Sequence, residues 1–490
     1  MPEPLLGATV EVDAFIGGHG PLPARERLEV HDPGRTRELV GTIGVAGAED
    51  VDSVVRIARA AQTAWAATPV EERAAALVRA AELLEDVEPE LAALLTRENG
   101  AILAVSGNEF LAAARILRFT AAHARALLAE PLRRESGGDV ATIRRTPFGV
   151  VGAIVPWNAP IVLAAQKVAP ALAAGNAVVV KPSPFAPLTV TILLERIAAL
   201  LPAGVLSVVH GDGATGTALV EHPLVRMVSF TGGGATAKAI ARAAAATLTR
   251  THFELGGNDP AIVLDDADVP SAAATIVDHA LRRSGQVCYA IKRVYVPRSH
   301  LAAFTDAAVA QLDAVRVGHG LLPGSTLGPV NNRGQYERIA GMRARLEAAG
   351  RRVVEGGERV DEGSWDEGHY LLPAIVPDAP ADDEIVVEEQ FGPLLPIVAY
   401  DRLEDAVALA NGTEYGLAAS VWSADVERAT RVAERIESGL AFVNWHQMTA
   451  LAQEHVPFGG VKQSGIGWEN SPAGLAEYLE FHTVHAPRAA

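Results

Sequence analysis

Between Gly149 and Val180 the chain carries a single charged residue, Lys167. A stretch this apolar must be buried, in a protein core or in a membrane. Pro156, Pro160, Pro170 and Gly175 cut it into pieces shorter than the ~20 continuous apolar residues a spanning helix requires. It therefore reads as buried strand, loop, buried helix and buried strand. The alternation continues downstream. Short apolar runs at Val150–Val155, Ala177–Lys181, Leu206–His210 and Met227–Phe230 are separated by Ala-rich helical segments. A second series begins near Pro260, with Pro260–Leu264, Arg293–Val296, Leu394–Tyr400, Ala418–Val421 and Ala441–Asn444. Strands that are apolar throughout and separated by helices predict mostly parallel sheets covered on both faces, an α/β fold.

The first third is different. Glu49 to Ala66 has apolar residues at helical spacing, and Thr68-Pro69-Val70-Glu71 reads as a new helix start, with Thr68 as N-cap, Pro69 in the first turn and Glu71 in a capping box. Helical pattern runs on to Leu128, and Val140 to Arg145 reads as an exposed strand. A length of 490 residues implies several domains. Aromatic residues are only 5%, so the cores are expected to be built from small aliphatics. Against 42 basic residues stand 59 acidic ones, a formal charge of −17 that argues against a nucleic-acid partner. The N-terminal MPEPLLGATVEVDAF lacks the basic and apolar regions of a signal peptide. The polar loop Gly356–Gly368 is expected to be solvated and to bind no metal. One cysteine allows no internal disulfide and fits a reducing cytoplasm.

That cysteine, Cys288, follows Ser284-Gly285-Gln286-Val287 and precedes Tyr289, a context that suggests a tight turn. A thiol with a reference pKa of about 8.5 is mostly protonated at pH 7, so a nucleophilic role requires a field from a helix N-terminus or a nearby donor. A small buried hydrophobe is the competing use. Glu254 ends an apolar run before Leu255-Gly256-Gly257-Asn258 and suits a general base, or simply an exposed carboxylate before a loop. Asn158, after Val155-Pro156-Trp157, suits an oxyanion donor or an Asx turn. The run Phe230-Thr231-Gly232-Gly233-Gly234 places a glycine turn between strand and helix, where a pyrophosphate can sit on the helix N-terminus. Lys181, closing its strand, is in reach of ribose hydroxyls.

Taken in order, PWN, VVVKPS, SFTGG, FELGGNDP, SGQVC, EEQFGP, NGTEYGL and VPFGGVKQSGIG resemble the aldehyde dehydrogenase superfamily over nearly the whole chain. The resemblance implies Cys288 as nucleophile, Glu254 as the base that activates water, and Asn158 with the Cys288 N–H as oxyanion hole. It implies Lys167 and Glu469 as a proton relay. It places a nicotinamide dinucleotide, NAD or NADP with NAD preferred, on Val155, Pro156, Trp157, Lys181, Ser183, Pro184, Gly213, Phe230, Thr231, Gly232, Gly233, Leu255, Glu389 and Phe391, with no metal. It lines a substrate tunnel with Ala159, Val162, Leu163, Gln166, Val287, Tyr289 and Phe458. The implied architecture is a Rossmann-like cofactor domain (1–124 and 148–256), an α/β catalytic domain (257–470) and a small β oligomerisation arm (125–147 and 471–490). The implied assembly is a homodimer or homotetramer, in the cytoplasm and away from membranes.

Departures from the family pattern matter as much. Pro184 stands where many NAD-preferring members carry a ribose-binding Glu, which leaves NADP open. Gly233 replaces a frequent Ser, and Ala237 a frequent Gly. Leu281 and Arg283 stand where Phe and Asn are common, and Arg283 reads either as a structural substitution or as added positive field near the cysteine. Ala159, Val162, Leu163 and Gln166, with the polar loop Trp445–Val456, predict a wide, partly polar pocket for a bulky or oxygenated aldehyde. His446 and His455 in that loop read as structural. Transfer of the acyl group to coenzyme A, a catalytically silent protein on the same fold, and a cysteine hydrolase without nicotinamide are the alternatives; intact Glu254, Cys288 and Asn158, and the absence of a motif supplying a His base, weigh against them.

Overall fold

The computed structural model describes residues 9–360, 363 and 365–488. Its first large sheet has eight strands, in the order Gly465–Ile466, Arg250–Glu254, Val225–Thr231, Val150–Ile154, Ala177–Lys181, Leu206–Val208, Phe15–Ile16 and Gly20–Pro21. The five strands from Arg250–Glu254 to Leu206–Val208 are parallel, and the outer ones are antiparallel. Gly465–Ile466, expected within the catalytic domain, adds to the edge of this sheet. The second sheet has seven strands, in the order Val354–Glu355, Ala374–Val376, Leu394–Tyr400, Ile291–Pro297, Asp259–Val263, Ala418–Trp422 and Leu440–Val443. Its pairings are parallel except at Val354–Glu355. The central strands of both sheets are buried along their whole length, as their composition requires.

Eight helices place the site: α1 Ala48–Ala67, α2 Val70–Asn99, α3 Leu103–Leu128, α4 Pro160–Ala174, α5 Leu188–Ala198, α6 Gly213–Val220, α7 Gly234–Ala245 and α8 Val269–Leu281. The continuous apolar core between α2, α3, α4, α5 and the first sheet is rich in Ala, Val and Leu. The capping expectation for α2 is corrected. Pro69 occupies the N-cap without a side-chain hydrogen bond, while Thr68 closes α1 by donating its hydroxyl to the Ala64 carbonyl at 3.2 Å. One hydroxyl between abutting helices serves the helix behind it. The 356–368 loop is also more structured than its composition suggests. Glu358–Arg359 pairs with Arg316–Val317, and Trp365 stacks on Tyr370 at 5.2 Å between ring centroids. Its residues 361, 362 and 364, and residues 1–8 of the N-terminal segment, lie outside the described residues.

Strand Asp139–Pro147 is flanked by Leu132–Ser136 and Leu479–Pro487 in a separate three-stranded antiparallel sheet. It projects Phe481, Val484 and Leu132 outward. No helix among the described residues is long and apolar enough to cross a membrane.

Candidate functional site

The chain begins the parallel part of the first sheet at Val150–Ile154, lays Ala177–Lys181 and Leu206–Val208 on one side, then returns to lay Val225–Thr231 and Arg250–Glu254 on the other. The order of strands reverses beside Val150–Ile154. In an open parallel sheet such a reversal leaves a crevice beyond the carboxyl ends of the strands, because the connecting helices diverge to opposite faces there. Lys181, Thr231 and Glu254 each end a strand on that edge, and Asn158 follows the fourth strand end by four residues. Residues far apart in sequence are therefore brought together by topology alone.

The second sheet faces this edge with the opposite ends of its strands. Gly256-Gly257 carries the chain across from Glu254 to Asp259, and both positions exclude a side chain: a Cβ on Gly256 would stand 2.0 Å from the Glu389 carboxylate, and one on Gly257 2.8 Å from the Cys288 carbonyl oxygen. Cys288 lies just before Ile291–Pro297, in a turn made by three successive left-handed residues, Arg283 (φ 52°), Ser284 (φ 59°) and Gly285 (φ 74°). Two of them pay the steric cost of this conformation, and the third must be glycine, since its Cβ would lie 2.2 Å from the Gly392 carbonyl oxygen.

Of the two sources of field named above, a helix N-terminus or a nearby donor, no helix begins at Cys288, which follows a turn and precedes a strand. Burial pushes its thiol up to about 12, Lys292 opposes this, and the Glu254, Glu389 and Asp259 carboxylates add to it. Asn158 is buried and donates one amide hydrogen to the Gln286 carbonyl at 2.9 Å, which ties it to the cysteine turn and leaves its second hydrogen uncommitted.

Glu254 is buried, with neither carboxylate oxygen hydrogen-bonded. Burial raises its pKa well above the ordinary carboxylate value, Glu469 raises it further, and Lys167 opposes both. Lys167 and Glu469 form an ion pair at 2.9 Å with side chains 0% and 1% exposed. These three groups make one buried charged cluster.

Asn158, Ala159, Val162, Leu163, Gln166, Val287, Cys288, Tyr289 and Phe458 line one cavity of about 800 Å³. Glu254 is not among its lining residues.

On the other side of the crevice the glycine turn precedes α7. Gly232 is required, since a Cβ there would be 2.4 Å from the Phe230 ring, whereas Gly233 and Gly234 face open space. Thr231 has a buried hydroxyl with no partner. Lys181 is buried and makes no ion pair among the described residues; burial pushes its ammonium down to about 8 against the pull of Asp212. A helix N-terminus with open space before it, an orphaned hydroxyl and a desolvated ammonium suit a dinucleotide. Gly213 opens α6, where Asp212 accepts the Ala214 N–H at 2.8 Å. Ser183 accepts the Phe185 N–H at 3.3 Å and fixes the Pro184 loop, Val155 donates its N–H to the Lys181 carbonyl at 3.0 Å, and Leu255 donates to the Ser464 carbonyl at 2.9 Å. Trp157 meets Phe391 edge-on at 5.6 Å, next to half-buried Pro156. Glu389 is 3.2 Å from the Lys292 ammonium and accepts the Gly257 N–H at 3.3 Å.

Three residues with a part in this site escape the motif reading. Lys292 is buried and donates to the Val287 carbonyl at 2.8 Å beneath the cysteine turn. Glu109 is buried on α3, pairs with Arg283 at 2.6 Å, and accepts the Ile161 N–H at 3.0 Å, capping α4 from outside. Arg283 also donates to the Asn158 carbonyl at 2.9 Å, which makes it a strut between the cysteine turn and the Asn158 loop. The signal for Glu109 was its position on the apolar stripe of α3 with Ser106, Phe110 and Ala113, all buried. The third, His279, lines the cavity from α8 and is 3% exposed. His446 is also buried there, whereas His455 is exposed.

The family model described as the aldehyde dehydrogenase family matches residues 22–484. Aldehyde dehydrogenase C of Pseudomonas syringae, solved as a Cys-to-Ala variant with NAD+ and octanal, is 36% identical over 96% of both chains, with a TM-score of 0.90. Betaine aldehyde dehydrogenase of Staphylococcus aureus, solved with NAD+, is 30% identical over 98% of this chain and 95% of that one, with a TM-score of 0.92. An NADP-dependent enzyme of E. coli is 33% identical over 97% of this chain and 98% of that one, with a TM-score of 0.91.

Proposed function

This chain belongs to the aldehyde dehydrogenase family, and from that premise we propose how it oxidises an aldehyde to a carboxylic acid with NAD+ or NADP+. The observation that carries the reading is that Cys288 and Asn158 line one cavity of about 800 Å³. Cys288 is the nucleophile. Its attack on the carbonyl carbon moves charge onto oxygen, where the free Asn158 amide hydrogen and the Cys288 N–H stabilise it, a contribution of about 3 kcal/mol per donor in comparable sites. The cofactor, when bound, supplies the hydride acceptor. Thr231, Gly232, Gly233 and the α7 N-terminus would hold its pyrophosphate, Lys181 its adenosine ribose, and Glu389 and Phe391 its nicotinamide end.

The oxidised substrate remains on Cys288 as a thioester, which Glu254 hydrolyses by taking a proton from water. The raised pKa of Glu254 suits this work, since it makes the carboxylate a stronger base than an ordinary one. Glu469 accepts that proton on its carboxylate, beside the Lys167 ammonium paired with it. Lys292 pins the Val287 carbonyl and favours thiolate at Cys288.

Pro184 offers no carboxylate against a 2′-phosphate, so NADP+ is accepted alongside NAD+. The cavity favours a bulky or oxygenated aldehyde over acetaldehyde. The three-stranded arm joins copies of the chain into a dimer or tetramer, because it presents two unpaired edges and exposed apolar side chains. We place the enzyme in the cytoplasm.

Absorbance at 340 nm with an aldehyde panel and each cofactor tests the reaction. Cys288→Ala is expected to abolish it; activity that survives would overturn the assignment. Glu254→Gln is expected to give a first burst of reduced cofactor and then slow turnover, whereas an unchanged steady-state rate would remove its role. Product analysis with and without coenzyme A separates hydrolysis from acyl transfer.

A further inference from the structure

The cavity wall carries polar atoms with no partner in the protein. His279 is 3% exposed, and neither ring nitrogen is hydrogen-bonded. Burial pushes it down to about 3, so the ring is neutral and offers one N–H donor and one lone-pair acceptor. His446 is 2% exposed and lies 2.7 Å from the Tyr289 carbonyl through Nε2. A carbonyl only accepts, so Nε2 carries a proton toward it; Nε2 is also 3.6 Å from the Asp259 carboxylate, and Nδ1 has no hydrogen-bond partner. Gln166 donates to Asn470 at 3.3 Å and leaves its Oε1 unpartnered, and Gln453, on the short helix Ala450–His455, does the same with its Oε1. All four line the 800 Å³ cavity.

Buried polar atoms left without partners destabilise a fold, so a cavity that keeps four such side chains is built for something that pairs with them. The two glutamine oxygens need donors, and the two imidazoles each have a ring nitrogen without a partner. The charges at the cavity do not call for a cation: Glu109 is paired with Arg283 at 2.6 Å, Asp278 with Arg282 at 3.4 Å, and the exposed Arg115 adds a positive group. Tyr289 and Phe458, edge-on at 5.6 Å, give the cavity an apolar wall as well. We propose that the substrate is a neutral aldehyde carrying hydroxyl groups away from the carbonyl, and that His279, His446, Gln166 and Gln453 form the subsite that reads them. This rests on the aldehyde-oxidising reading of the same cavity. A hydroxyl both donates and accepts, which satisfies His279 and the surplus acceptors, whereas an ether or ketone oxygen satisfies neither glutamine.

Two matched pairs test it, each differing by one hydroxyl and unable to cyclise: 5-hydroxymethylfurfural against 5-methylfurfural, and 4-(hydroxymethyl)benzaldehyde against 4-methylbenzaldehyde. The expected kcat/KM ratio within a pair is about tenfold or more in favour of the hydroxylated member, since a site built to bond a hydroxyl discriminates strongly against its absence. The ratio is expected to fall toward one in His279→Leu and in Gln166→Leu. A ratio near or below one in the unaltered enzyme overturns the proposal, as does a ratio that survives in both variants. Preference for 4-(dimethylaminomethyl)benzaldehyde, cationic at pH 7, overturns it in favour of an amino aldehyde. Turnover of the methyl members keeps the parent reading intact in each of these cases; no turnover of any aldehyde with either cofactor is the separate failure of that reading.

Discussion

Arg283→Met is the sharpest perturbation of this site, because it removes a cation without touching a reacting group. In the folded enzyme Arg283, its side chain 13% exposed, meets Glu109, 1% exposed, at 2.6 Å and the Asn158 carbonyl at 2.9 Å. Removing one partner of a buried pair typically costs 3–5 kcal/mol, because the other charge is left uncompensated. Two features limit the loss. Glu109 keeps the Ile161 N–H at 3.0 Å, and burial already raises its pKa, so it can take a proton instead of remaining charged. The expected destabilisation is therefore at the low end, about 3 kcal/mol. The rate effect is separate. Losing an oxyanion donor outright costs about 10²–10³ in kcat, and Arg283→Met leaves the Asn158 amide in place but frees its backbone, so a fall of roughly 10–30-fold is expected. Urea unfolding measures the first effect and steady-state kinetics the second. Adding Glu109→Gln removes the stranded carboxylate, so the double variant should regain much of the stability but not the rate. A kcat/KM within twofold of the unaltered enzyme, or full recovery of rate in the double variant, would refute the strut.

Further outcomes follow from buried titrating groups and the arm. Burial holds Lys181 down to about 8, so its ammonium is present at pH 7 and only about a tenth remains at pH 9; cofactor KM should rise over that interval, and a Lys181→Met variant should be flat across it. His210 and His252 are pushed down to about 3 by burial, so the folded chain binds fewer protons than the unfolded one below pH 6.5 and stability falls as pH drops. At pH 5 each should cost about 2 kcal/mol relative to pH 7, and urea unfolding of His210→Asn should show a shallower loss than the unaltered chain. Phe481 and Val484, 70% and 49% exposed on the arm, should be covered in the assembly; Phe481→Glu with Val484→Glu should shift light scattering toward a smaller species, and an unchanged mass would exclude this arm as the interface.

What could be read from the chain before its fold follows a physical division. The parallel strands were legible because burial on both faces writes a continuous apolar run, and Ala177–Lys181 and Leu394–Tyr400 have the same ends in sequence and structure. Cys288, Glu254, Asn158 and Lys181 were legible as candidates because each stands at the end of an apolar run or inside a glycine-rich turn, where a polar side chain has no packing reason to be. Arg283, Glu109 and His279 carry no such local mark. Arg283 is one of two adjacent arginines, and its partner Glu109 lies on a different helix in a different part of the chain, so neither has meaning until α3 and the cysteine turn are brought to 2.6 Å. The thiol environment shows the same limit more forcefully. A donor or helix N-terminus near Cys288 was the expectation from thiol chemistry; the fold supplies the Lys292 ammonium, with the Glu254, Glu389 and Asp259 carboxylates opposing it. That balance belongs to the meeting of two sheet edges and to no segment of sequence.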